Sequence, residues 1–382
     1  MQQQARLRIL FSAGESSGDQ HAANMFLEIK KMNPTIQGLG MGGNKMAQAG
    51  IDIRYNSAGI GVIGVVEVLK HYGEIRKAMG LLENIIVQER PDLLICVDYK
   101  EFNFKLARFA KQQGIKVLFY VGPQVWAWRS GRVKQYGAVI DMMAVIFPFE
   151  VPYYEAEKVP VRYVGHPSVD KVHPMFSREQ ALQQFNLNDN QPIIGLLPGS
   201  RQHEIKRLLP EMLKAAALLK QEYPECQFIL PQADSIRDIQ LQEYLQQTPC
   251  NVQCIKQLPY DVIQCCHALI TCSGTATLEV ALLNVPMVII YKLSPVTYWL
   301  GRLLVKTPFI GLPNIIAGKR IVRELIQHEA NAENMFLEIK QILSDANYQS
   351  SMRKDLLQVK QRLGQGGGSY QMARLALELL NS

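Results

Sequence analysis

Long apolar runs are missing from this chain. No segment approaches the ~20 consecutive apolar residues that a membrane-spanning helix needs. The longest candidates, residues 60–68 and 142–149, are broken by Gly, Glu or Pro. The first apolar run, 9–13, is too short for a secretory signal and leads into an acidic turn, so no secretory leader is expected. Cysteine is sparse and unpatterned. The seven are Cys96, Cys226, Cys250, Cys254, Cys265, Cys266 and Cys272, an odd number with no Cys-x-x-Cys pair. That argues against structural zinc and for a reduced compartment. No Asp-x-Asp or His-Glu-x-x-His stretch occurs, which removes the usual signatures of metal-carrying transferases and zinc proteases. No basic run interleaved with aromatics occurs, so nucleic acid is the least expected partner.

What is present is an ordinary globular composition, 48% hydrophobic and 20% charged over 382 residues, with a formal net charge of +7. The length suits two domains of moderate size. The charge favours anionic partners. Strand and helix patterns alternate throughout. Strands are expected at 8–13, 37–41, 93–97, 117–121, 142–146 and 162–165, then at 193–197, 227–231, 252–255, 268–271 and 287–291. Several are continuous Ile/Val/Leu runs, as in parallel strands buried on both faces. The class is therefore α/β, with two Rossmann-like domains facing a cleft. The expected divisions are 1–168, 169–345 and a helical segment 346–382 split by the glycines at 364–368.

Ligands of such sheets bind beyond the carboxyl ends of the strands. The strand 193–197 runs into Pro198-Gly199-Ser200-Arg201, and a helical pattern begins near Glu204. Small residues at a strand-to-helix turn let backbone N–H groups approach an anion, and Arg201 adds a guanidinium fork suited to phosphate. The competing reading is an ordinary turn with a surface arginine. A second such turn, Ser273-Gly274-Thr275, follows the strand 268–271. Glu279 lies one helical turn further on, where a carboxylate can accept from both hydroxyls of a ribose. Asp98 ends the strand 93–97 and is a general-base candidate, its alternative being a helix N-cap. Glu101, Glu15, Asp19, His21 and His166 are further candidates. Of these, Asp19 more often caps a helix, and His166 before Pro167 can simply tie down the linker. Residues 60–78 mix Val66, Val68, Leu69 and Tyr72 with Lys70, Arg76 and Lys77, which suits an anionic membrane interface as well as a core-facing helix.

These motifs lie in a longer pattern. It includes Ala13-Gly14-Glu15-Ser16-Ser17-Gly18-Asp19, Gly64-Val65-Val66-Glu67-Val68-Leu69, Val97-Asp98 before Phe102-Asn103, and Pro123-Gln124-Val125-Trp126-Ala127-Trp128-Arg129. It continues through Phe147-Pro148-Phe149-Glu150, Val164-Gly165-His166-Pro167 and the 197–201 and 273–279 stretches to Leu312-Pro313-Asn314-Ile315-Ile316-Ala317-Gly318. Nearly end to end, the chain resembles the lipid-A-disaccharide synthases. One departure is Glu101, where that family commonly carries Asp. The resemblance implies a glycosyltransferase-B fold and an inverting, metal-independent transfer without cofactor. The donor would be UDP-2,3-diacylglucosamine, the acceptor 2,3-diacylglucosamine 1-phosphate, and the products a β-1,6 disaccharide 1-phosphate and UDP. It also implies a cytosolic protein held peripherally at the inner membrane, with a C-terminal region that can exchange within a homodimer. On this reading Asp98 is the base. Gly14, Glu15, Ser17, Gly18, Gly199, Ser200, Arg201, Glu204, Ser273, Gly274, Thr275 and Asn314 bind substrate. Glu279 holds the ribose, Leu258 with Pro259 frames the uracil, and Val66, Val68, Leu69 and Tyr72 meet acyl chains or bilayer. The residues alone leave open another enzyme of the same fold, such as a UDP-N-acetylglucosamine epimerase, and a binding protein without chemistry.

Overall fold

The computed structural model describes residues 7–57, 72–123, 131–233, 235–294, 298 and 307–382. The chain divides into two compact units, residues 1–167 with 366–382, and residues 168–365. The helical segment expected as one piece from 346 is thus shared. The helix Ala346–Arg362 belongs to the second unit and the helix Gly368–Asn381 to the first. Gly364, Gly366 and Gly367 all take left-handed φ angles between them, a conformation glycine reaches without steric cost.

The first unit is built on seven parallel strands: β1 (Arg8–Ala13), β2 (Gln37–Gly42), β3 (Asp52–Asn56), β4 (Leu93–Val97), β5 (Lys116–Tyr120), β6 (Met142–Val145) and β7 (Val161–Tyr163). Their spatial order is β3-β2-β1-β4-β5-β6-β7. The second unit repeats the scheme with β8 (Ile193–Leu197), β9 (Gln227–Pro231), β10 (Val252–Ile255), β11 (Ala268–Cys272), β12 (Met287–Tyr291) and β13 (Arg323–Ile326), ordered β10-β9-β8-β11-β12-β13. β3 and β13 were not expected. Both are edge strands, and their sequences Asp-Ile-Arg-Tyr-Asn and Arg-Glu-Leu-Ile carry too few apolar residues to stand out.

Central strands are buried on both faces, which is why they read as unbroken apolar runs. In β4, Leu94 and Cys96 join one core cluster, while Leu93, Ile95 and Val97 join the other. The second cluster also takes Met372, Ala373, Leu375 and Ala376 from the C-terminal helix, beside Ala22, Met25 and Phe26 of the helix Ser16–Met32. The last helix therefore completes the core of the first unit.

In each sheet the order of building reverses once, between β1 and β4 and between β8 and β11. Crossover helices leave in opposite directions at such a point and open a crevice beyond the strand ends. At the first one, Asn103 is fully buried and acts as a clip. Its Nδ2 donates to the carbonyls of Ser12 (3.1 Å), Val97 (3.3 Å) and Asp98 (2.8 Å), and its Oδ1 accepts from the Ser12 hydroxyl at 2.6 Å. Asp19 accepts from the N–H groups of Gly43, Lys45 and Met46 at 2.7–3.1 Å, and so caps the helix Asn44–Gln48.

Two histidines of this unit are held neutral. Burial lowers His21 to about 4. Burial, and then the charge His21 would carry, lower His166 to about 4 as well, beside the Phe147 ring at 4.8 Å. The unfolded chain takes up these protons near the ordinary value of 6.5, so between about 6.5 and 4 the unfolded state binds more protons and folding loses stability as pH falls. The melting temperature should drop across that window, and the drop should flatten in His21→Gln with His166→Gln when unfolding is followed by calorimetry at stepped pH.

Candidate active site

The first switch point carries the carboxylates. Asp98 and Tyr99 follow β4 in left-handed backbone, with φ of 51° and 44°, a conformation rare outside Gly, Asn and Asp. The helix Lys100–Gln112 starts with Tyr99 as its N-cap and no capping side chain, so Asp98 does not serve as the cap. A Cβ on Gly14 would stand 2.3 Å from the Tyr99 ring, so that glycine is required for close packing. Gly18 is buried against the Val97 carbonyl, and Ser17 is exposed in the first turn of its helix.

Asp98 is half-buried. Burial raises its pKa, and Lys100 and the Tyr99 N–H partly oppose the rise. Glu15 is raised as well, first by burial and then by the Asp98 charge. Two carboxylates of raised pKa on adjoining loops are a base-like arrangement. Glu101 is engaged elsewhere: its two oxygens receive Arg132 Nη1 and Nη2 at 2.5 and 2.9 Å.

At the second switch point a cavity of about 770 Å³ lies beyond β8 and β11. Gly199, Ser200, Arg201 and Glu204 line it on the β8 side. Ser273, Gly274, Thr275 and Glu279 do so on the β11 side, with Leu258, Tyr260 and Lys171 completing the wall. Leu258 holds a left-handed φ of 58° as N-cap of the helix Pro259–Cys265. The sequence-based candidates of this unit thus converge, with two corrections.

Glu204 is a buried structural group rather than a substrate ligand. Its Oε2 accepts from the N–H groups of Ser200 and Arg201 at 3.0 and 3.1 Å, satisfying two backbone donors at the start of the helix Gln202–Glu222. Gly199 has a φ of 110°, and a Cβ there would lie 2.3 Å from Glu204 Oε2. The donors expected to face an anion at 200 and 201 are therefore occupied from within. The side chain of Arg201 is 60% exposed, and its Nη1 reaches back to Glu204 Oε1 at 3.3 Å. The β11 turn differs. Among the described residues no side-chain hydrogen bond caps the helix Thr275–Leu282, and no atom lies within 4 Å of a Cβ position on Gly274. Ser273 Oγ donates to the Ile310 carbonyl at 3.0 Å.

Asn314 is the second correction. It is 0% exposed. Its Nδ2 donates to the Val322 carbonyl and Glu324 Oε1 at 2.9 and 2.8 Å, and its Oδ1 accepts from the N–H groups of Ile321 and Val322 at 2.7 and 3.0 Å. With all four hydrogen bonds spent, it has none left for substrate. Glu324 passes the tie on to the N–H groups of Ile310 and Gly311 at 3.0 and 2.9 Å.

Among the described residues no group of three or more His, Cys, Asp or Glu could hold a metal ion, and no helix is long and apolar enough to cross a membrane. Val66, Val68 and Leu69 lie outside the described residues, as do Trp126 and Trp128. Tyr72, which opens the helix Tyr72–Glu89, is 61% exposed. Lys171 and Tyr260 escaped the sequence reading because a single lysine or tyrosine in a helical pattern carries no motif.

The family model described as lipid-A-disaccharide synthetase matches residues 9–378. The chain belongs to the lipid-A-disaccharide synthase family. It is 48% identical to the lipid-A-disaccharide synthase of Geobacter sulfurreducens over 373 residues, covering 98% of this chain and 97% of that one. With the synthase of Nitrosococcus oceani the identity is 46% over 368 residues, 96% of this chain and 95% of that one. Solved structures share the fold at low identity. UDP-GlcNAc 2-epimerase from Neisseria meningitidis aligns with a TM-score of 0.62 at 15% identity over 97% of this chain and 99% of that one. The calicheamicin glycosyltransferase CalG4 aligns with 0.62 at 14% identity over 98% and 97%. The fold is that of the two-domain glycosyltransferase-B proteins, and this lipid-A-disaccharide synthase family member is a UDP-sugar-dependent glycosyltransferase.

Replacing Asn314 by Ala should cost about 2–4 kcal/mol, since it strands three backbone groups and takes one of the hydrogen bonds from the buried Glu324 carboxylate. The cost is read as a lower denaturant midpoint, with KM for the sugar nucleotide unchanged in the folded fraction. A raised KM with unchanged stability would return Asn314 to the substrate.

Proposed function

We propose that this family member performs its transfer with Asp98 as general base and the cavity beyond β8 and β11 as the UDP site. The reaction moves 2,3-diacylglucosamine from UDP-2,3-diacylglucosamine to the 6-hydroxyl of 2,3-diacylglucosamine 1-phosphate, with inversion. Asp98 takes the hydroxyl proton as the acceptor oxygen attacks the anomeric carbon from the face opposite UDP. The bond from that carbon to the diphosphate oxygen breaks, and its electron pair leaves with UDP. The N–H groups at Gly274 and Thr275 meet the growing negative charge together with the Arg201 guanidinium, without a metal ion. Glu279 takes the ribose hydroxyls, and Leu258 with Pro259 borders the uracil. The observation that carries this reading is the convergence of an uncapped helix N-terminus, Arg201 and Glu279 on one cavity.

On the first unit, Glu15 and the 14–18 turn border the acceptor beside Asp98. Tyr72 meets acyl chains at the inner membrane, where the protein binds peripherally, a role that sequence alone extends to Val66, Val68 and Leu69. The exposure of Tyr72 supports that surface.

The test is UDP release from the acylated donor in detergent micelles containing a chelator, with and without acceptor. Acceptor-dependent release with a disaccharide product is expected. Release without acceptor, or dependence on added metal, overturns the scheme.

In this assay Asp98→Asn should lower kcat at least about a hundredfold, the usual reach of a general base. Asn suits the left-handed backbone at 98 better than Ala does. Because burial opposes the ionised form of Asp98, the same change should raise the melting temperature at pH 8. Since the base works only when ionised, activity falls on the acid side of the Asp98 pKa, which burial raises from its ordinary value. Lys100 lowers that pKa. Lys100→Ala should therefore move the acid limb of kcat/KM to higher pH, and an unmoved or lowered limb would count against Asp98 as the titrating base.

A further inference from the structure

Glu279 does not stand alone in its cavity. The Tyr260 hydroxyl donates to Glu279 Oε1 at 3.2 Å, and Lys171 Nζ lies 3.5 Å from the same oxygen. The ammonium also sits 5.9 Å from the centroid of the Tyr260 ring. The three groups come from three short helices, Pro167–Lys171, Pro259–Cys265 and Thr275–Leu282, and all three line the cavity. Both partners use Oε1, and among the described residues no hydrogen bond reaches Oε2.

We infer that Lys171 is a positioning residue for ribose recognition, which with Tyr260 fixes Glu279 through Oε1 and leaves Oε2 for the ribose hydroxyls. The inference rests on the reading of Glu279 as the ribose ligand. A glutamate has three side-chain torsions to order when it binds, and a carboxylate already held by one oxygen has fewer left to fix, so preorganisation appears as affinity. The Lys171 side chain is 70% exposed, whereas that of Glu279 is 19% exposed. An ion pair between two open side chains contributes little, but here the anionic partner is largely shielded from water, and the phenol and the ring add to the hold. Burial alone would lower the Lys171 ammonium. The Glu279 charge and the Tyr260 hydroxyl more than offset this and carry it above its usual value, so the brace stays charged through neutral pH.

The experiment compares binding of UDP and of 2′,3′-dideoxy-UDP by calorimetry to the full chain and to Lys171→Ala, Lys171→Arg and Glu279→Ala, together with steady-state kinetics. Lys171→Ala should weaken UDP and raise KM about three- to tenfold with kcat held within about twofold, a size suited to one partly shielded ion pair. It should leave dideoxy-UDP unaffected, and Lys171→Arg should restore most of the loss. Equal weakening of both nucleotides would place Lys171 on the diphosphate, and no weakening would reduce the pair to a surface contact. Either result overturns the inference. Glu279→Ala separates the two levels. If it weakens UDP but not dideoxy-UDP while Lys171→Ala does neither, only the role of Lys171 falls. If it fails to distinguish the two nucleotides, the ribose reading of Glu279 falls, and the inference with it.

Discussion

The reversal of strand order in a parallel sheet is the constraint on which the rest depends. A parallel strand needs a crossover to reach its neighbour, and each sheet here is extended first in one direction and then in the other. The two strands at the reversal send their following turns apart. In the first unit these are β1 and β4, with Ala13 beside Val97; in the second they are β8 and β11, with Leu197 beside Thr271. Asp98, the 14–18 turn, the 198–201 turn and the Ser273-Gly274-Thr275 turn all begin at those four strand ends. The crevice leaves room at those ends for polar side chains that the apolar sheet interior does not.

Holding polar groups at that edge requires internal partners. Asn103 fastens the ends of β1 and β4 through the Ser12, Val97 and Asp98 carbonyls. Asn314 and Glu324 fasten the chain before and after the helix Leu312–Ala317. Glu204 satisfies the turn after β8. Each is a buried side chain spending its hydrogen bonds on backbone groups that would otherwise be stranded. The two turns therefore differ: the one after β8 is closed by its own carboxylate, and the one after β11 has no such side chain among the described residues.

The charge arrangement follows from depth. Asp98 and Glu15 are raised mainly because burial disfavours their ionised forms, the condition under which a carboxylate holds a proton more tightly than in water. Arg201 and Lys171, which line the cavity of the second unit, keep their heads in water, their side chains 60% and 70% exposed.

The sequence by itself determined the strand order of events: apolar runs of about five residues must be buried on both faces, and turn residues after them must break the run. The alternation of β and α, the two sheets, the position of Asp98 and Gly274 at element ends and that of Glu279 one turn into its helix were legible for that reason. Edge strands β3 and β13 were not, because an edge strand needs only one buried face and its polar residues hide the period. Tertiary structure alone decided which polar residues are spent and which are open. Asn314 and Asp98 look alike in sequence, each a polar residue beside apolar ones. Only packing shows that the first has four protein partners and that the second is half-buried with a raised pKa. The same holds for Lys171 and Tyr260, whose meeting at Glu279 joins positions far apart along the chain, and no local pattern encodes a distance between residues that only folding brings together.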